Sequence, residues 1–130
     1  MEGIVIFKET RKVILDGFYC DFYTNQKSFD NCLTFIKSEL PNIESIFFNG
    51  IPENKLKINK NPIDLSSLLK IKKISFNQDE SLDDGIDLNY FDFDSLSGSQ
   101  NITYLKLKGS LNNYNFIQKL NNLESFLRQC

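Results

Sequence analysis

The sequence predicts an α/β fold in which a small antiparallel β-meander and one helix precede a short stack of similar units. Three observations carry this expectation. Apolar residues recur three, three and two apart at four places between residues 40 and 130. A stripe of apolar residues at helical spacing leads into the first of them. Upstream of that stripe, β-rich runs alternate with turn residues.

The meander comes first. "GIVIF" and "KVIL" flank "KETR", as in a hairpin, and Asp16-Gly17 separates "VIL" from "FYCDFY". Asp-Gly tolerates the positive φ that tight hairpin turns demand, so an antiparallel meander over residues 3–23 is expected. In the helix that follows, Ser28 is the expected cap, and Phe29, Cys32, Leu33, Ile36 and Leu40 share one face. Pro41 discourages continuation. Cys32 on that face reads as a small core residue.

From Leu40 the recurring pattern begins. "LPNIESIFF", "LLKIKKISF", "SQNITYLKL" and "LNNLESFLR" start at residues 40, 68, 99 and 120. Their key positions are Leu40/Ile43/Ile46/Phe48, Leu68/Ile71/Ile74/Phe76, Ser99/Ile102/Leu105/Leu107 and Leu120/Leu123/Phe126/Arg128. Fourteen of these sixteen are apolar, where a composition of 41% predicts six or seven, so the recurrence is treated as a repeat. The wide spacing suits a bend or short helix, and the alternating end suits a strand with every second side chain inward.

This pattern resembles the leucine-rich repeat, L-x-x-L-x-L, over residues 40–130. Two features depart from that family. The intervals between Ile43, Ile71, Ile102 and Leu123 are 28, 31 and 21 residues, and Ile51, Asp79 and Ser110 stand where the family places Asn. The resemblance implies a short leucine-rich-repeat-like solenoid with a parallel sheet, in one domain over 1–130. Residues 1–39 form its meander-and-helix cap and residues 40–130 about four irregular units. An ordinary α/β domain with fortuitously aligned apolar runs is the competing reading.

Composition narrows the function classes. The net charge is −2, with +2 in residues 1–76 and −4 in residues 77–130, and no basic stripe of the kind a duplex-binding domain carries. Nucleic acid is not an expected partner. No apolar run approaches the ~20 residues that span a bilayer, so no membrane is expected either. Three cysteines at no metal-ligand spacing and no signal peptide point to a reducing cytoplasm. The absence of His removes the commonest general base and zinc ligand, and no phosphate-binding glycine motif is present. No enzyme, metal or cofactor is expected.

Candidate contact residues follow from the stacking. The outward strand positions form columns: Ser45, Lys73, Tyr104 and Ser125; Phe47, Ser75, Lys106 and Leu127; Asn49, Asn77, Lys108 and Gln129. The resemblance makes this the binding face, concave in the family. Phe47 and Tyr104 are candidate aromatic anchors, with the alternative that they are incidental surface residues. Seven carboxylates lie within residues 79–94, among them Asp79, Asp83, Asp84 and Asp87. Leu82 and Leu88 occupy positions where a calcium loop requires Gly and Glu. Two readings of the cluster remain: a contact surface for a basic protein, or a solvated loop. Residues 124–130, with Ser125 and Leu127 in an open edge strand, are a candidate homodimer contact. The expected function is a protein-binding module that occupies a partner's surface, in character like a bacterial immunity protein neutralising a toxin. A scaffold or adaptor subunit is the alternative.

Overall fold

The computed structural model describes residues 9–17, 20–52, 56, 59–76 and 86–129. It is a mixed α/β fold with, among the described residues, one long helix and a mostly parallel sheet. Five strands carry the sheet: β1 (Lys12–Asp16), β2 (Ser45–Asn49), β4 (Lys73–Phe76), β7 (Tyr104–Ser110) and β8 (Ser125–Gln129). They lie side by side in that order, each parallel to the next. A short β5 (Ile86–Asp87) joins the far end of β7 at Gly109 and Ser110. Behind the sheet, β3 (Ile63–Asp64) pairs in parallel with β6 (Phe91–Asp92).

The helix α1 (Gln26–Glu39) starts where Asn25 leaves an extended backbone, and its side chain accepts the Ser28 N–H at 2.8 Å. The cap is therefore Asn25, not Ser28, and Ser28 supplies the N–H that is capped. Phe29, Leu33 and Ile36 are buried on the expected face, with Cys32 partly buried beside them. Leu40 closes the helix by donating its N–H to Ile36 O at 2.8 Å. The connections into β4, β7 and β8 carry short 3₁₀ segments instead: Ser66–Leu68, Phe93–Leu96 and Asn115–Lys119. Each touches the one before it, so the outer layer runs parallel to the order of the strands.

The repeated spacing has a physical cause. Leu40 O, Leu68 O and Leu120 O each accept the N–H three residues on, from Ile43, Ile71 and Leu123, bending the chain back toward the sheet. In the third unit Ser99 replaces the Leu, and it is buried. Its hydroxyl donates to Leu69 O at 2.6 Å and accepts the N–H groups of Asn101 and Ile102. A polar residue is tolerated there because its hydrogen bonds are satisfied internally.

At the head of each strand one carbonyl serves two donors. Arg11 O accepts from Glu44 N and Ser45 N, and Glu44 O accepts from Lys72 N and Lys73 N. Lys72 O accepts from Thr103 N and Tyr104 N, and Thr103 O accepts from Glu124 N and Ser125 N, all at 2.8–3.2 Å. The register follows: Val13, Ile46, Ile74, Leu105 and Phe126 align, as do Leu15, Phe48, Phe76, Leu107 and Arg128. Inside, phenylalanines form a continuous chain from Phe48 to Phe76 (4.7 Å between centroids), Phe93 (5.2 Å) and Phe116 (5.5 Å). Phe22 and Phe29 extend it behind Phe48.

The antiparallel meander expected over residues 3–23 is not found among the described residues. β1 pairs in parallel with β2, and Cys20–Thr24 forms turns rather than a strand; residues 3–8, 18 and 19 lie outside the described set. Gly17 has another task than a hairpin. Its N–H donates to Asn49 O, and a Cβ there would lie 2.6 Å from Gly50 O. Glycine is required by close backbone approach.

Two substitutions test this packing by chemical denaturation. Phe76→Ala removes the ring that touches Phe48, Phe91 and Phe93, and is expected to cost about 3–5 kcal/mol. Gly17→Ala is expected to cost about 1–3 kcal/mol through overpacking; an unchanged midpoint would refute the close approach.

Candidate functional site

The open side of the sheet gathers most of the residues singled out from sequence. Reading across β1, β2, β4, β7 and β8, one row is Lys12, Ser45, Lys73, Tyr104, Ser125 and the next is Ile14, Phe47, Ser75, Lys106, Leu127. Asp16 aligns with Asn49, and Lys108 with Gln129.

Phe47 and Tyr104 stand two strands apart and lean together over β4, rings nearly parallel at 20° and centroids 6.4 Å apart. Ser75 lies on the strand between them and is completely buried, its hydroxyl without a hydrogen-bond partner among the described residues. The Lys12 ammonium sits 4.3 Å from the centre of the Phe47 ring, a cation–π contact. Ile14 and Leu127 flank the ring pair and are 56% and 47% exposed. Asn49 also carries a buried oxygen without a partner among the described residues.

Lys73 is exposed, and Lys106 and Lys108 are half-buried. The described ion pairs lie elsewhere, along the strand heads, where Glu44 meets Arg11 at 3.3 Å and Lys72 at 3.5 Å. Both of those pairs are solvent-exposed and contribute little to stability.

The acidic segment divides differently. Asp79, Asp83 and Asp84 lie outside the described residues. Asp87 accepts hydrogen bonds from the N–H and side-chain amide of Asn89 at 2.9 and 2.8 Å, capping the turn Leu88–Tyr90. That local use is visible in the sequence as Asp-x-Asn, an Asx-turn spacing.

β8 has β7 on one side and no strand on the other among the described residues. Its inner face is closed by a device not expected from sequence. Arg128 occupies an inward position in the register, and its guanidinium lies 4.2 Å from the centre of the Tyr114 ring, which in turn packs on Phe126. The cation covers the last apolar layer while remaining hydrated.

An open groove between α1 and the preceding turns is lined by Cys20, Asp21, Phe22, Asn31, Cys32 and Phe35. Both thiols there are held protonated. Burial, then the neighbouring Cys20, pushes Cys32 up to about 11. Burial, then Asp16 and Asp21, pushes Cys20 up as well. Neither is suited to nucleophilic work at neutral pH. Among the described residues no group of three or more His, Cys, Asp or Glu is placed to hold a metal, and no helix is long and apolar enough to cross a membrane.

Because a raised pKa keeps the thiol neutral to higher pH, alkylation of Cys32 by iodoacetamide, followed by peptide mass spectrometry, is expected to rise about tenfold per pH unit beyond pH 9. A plateau near pH 9 would contradict the burial of that thiol. Comparison of the chain with protein-family models, with curated proteins and with solved structures finds no match.

Proposed function

We propose that this protein is a protein-binding module that acts by occupying a partner's surface with the open face of its sheet. The observation that carries the reading is the Phe47–Tyr104 pair. Two aromatic side chains are stacked on the outward face, beside exposed Ile14 and Leu127, where folding alone does not require them. Aromatic residues in such positions are the side chains that dominate binding energy at protein interfaces. The leucine-rich-repeat-like solenoid is supported by the parallel strand order and by the helix or 3₁₀ turn that precedes β2, β4, β7 and β8.

Five strands at ~4.8 Å spacing make the face about 20 Å wide. With strands of mostly five residues, about 17 Å long, its area is about 340 Å², less than the about 800 Å² each partner gives to a standard interface, so a stable complex takes in flanking loops as well. Within this reading, a masking role of the immunity-protein kind requires one dominant partner in equimolar ratio, whose activity the protein suppresses. We assign the protein no reaction.

A second reading, a scaffold or homodimer assembling through residues 124–130, draws on the unpaired side of β8 and the exposed Leu127.

Affinity capture from the native cell, read by quantitative mass spectrometry, tests the first reading. A partner retained by the wild-type chain is expected to fall at least tenfold with Phe47→Ala/Tyr104→Ala and to persist with Lys70→Ala, a change at an exposed residue off the strands. Equal capture by all three would remove the sheet face from consideration. In the same preparations, a dimer in light scattering that becomes a monomer with Leu127→Lys would favour the second reading.

A further inference from the structure

The open face has a sign of charge opposite to that of the whole chain. Among the described residues its outward side chains include four ammonium groups, on Lys12, Lys73, Lys106 and Lys108, against one carboxylate, on Asp16. The chain as a whole carries −2. None of the four lysines has a carboxylate within ion-pair distance among the described residues. Lys12 lies over Phe47, and Lys73 is the register neighbour of Tyr104, so positive charge borders the aromatic pair.

We propose, building on the binding face above, that its partner is a protein presenting a carboxylate-rich patch with an apolar side chain among the acids. The apolar group would lie against Phe47, Tyr104 and the exposed Ile14 and Leu127, while the carboxylates meet the lysines around them. Complementary charge of this kind chiefly accelerates encounter and rejects wrong partners. It also reverses the sign expected from the acidic segment 79–94, whose Asp87 is engaged in capping a turn. A nucleic acid fits less well. Its charge extends well beyond a face about 20 Å wide, and the chain as a whole carries −2.

The test is a ¹⁵N–¹H titration of the full chain at low salt with three probes. These are a ten-residue peptide of alternating Glu and Leu, its Lys–Leu counterpart, and a ten-residue oligothymidylate. The Glu–Leu peptide is expected to shift amides of β1, β2, β4, β7 and β8 and to bind at least tenfold more weakly when salt is raised tenfold. Lys73→Glu/Lys106→Glu is expected to weaken it at least tenfold, and the off-face pair Lys70→Glu/Lys119→Glu to leave it within twofold. A dispersed spectrum of each variant establishes that it is folded, and Lys12→Glu/Lys108→Glu repeats the test from the other side of the face.

Preference for the Lys–Leu peptide would overturn the charge class while leaving the binding face intact. Tighter binding of oligothymidylate would make the face a single-stranded nucleic-acid surface instead. No shift on these strands with any probe would overturn both the partner class and the face.

Discussion

Everything in this fold rests on one carbonyl per unit that accepts two N–H groups from the next. Arg11, Glu44, Lys72 and Thr103 each hold the first residues of the following strand in this way. In a strand the side chains alternate, so a shift of one residue would exchange the buried and exposed sets completely. By holding the register at each strand head, these carbonyls decide that Phe48 and Phe76 go inward while Phe47 and Ser75 go outward. The core and the candidate binding face are therefore two results of one backbone constraint.

The core answers that constraint with large rings. No single unit could bury a phenylalanine by itself, since each ring uses the unit on either side as its wall. This is why irregular intervals of 28, 31 and 21 residues are tolerated. The length that varies lies off the sheet, and the aligned segments are short. The second layer is joined by side chains where backbone pairing is sparse. The Gln26 amide donates to Asp64 O and accepts Asp64 N–H, acting as an extra strand segment beside β3. Ser95 receives the Leu65 N–H at 2.7 Å in the same layer.

Much of this was legible in the residues, and the failures have definite causes. Three-residue spacing ending in an alternating pair is the trace of an i to i+3 turn feeding a strand, and it located β2, β4, β7 and β8 in register. It missed that β1 belongs to the same sheet, because Thr10 stands where Ile43 and Ile71 stand in later units. Without that apolar signal, Asp16-Gly17 looked like a hairpin turn. The alternation in "KVILD", comparable with "SIFFN", was the available clue, and it would have added Lys12 and Ile14 to the face. The leaning of Phe47 toward Tyr104 over Ser75 was not readable at all. It depends on side chains two strands apart whose closeness only the assembled sheet creates. The cap at Asn25 was obscured because Asn and Ser both suit that role three residues apart.

Backbone atoms hold the register, and backbone atoms are the same in every residue. The inward strand positions hold Val, Ile, Leu and Phe in turn, with Arg128 as the exception. Gly17, by contrast, insists on one amino acid. Such a chain can exchange the solvent-exposed members of its outward face while its strands stay seated. Divergence of the open face is thus cheap in folding terms, and one framework can be refitted to chemically different surfaces.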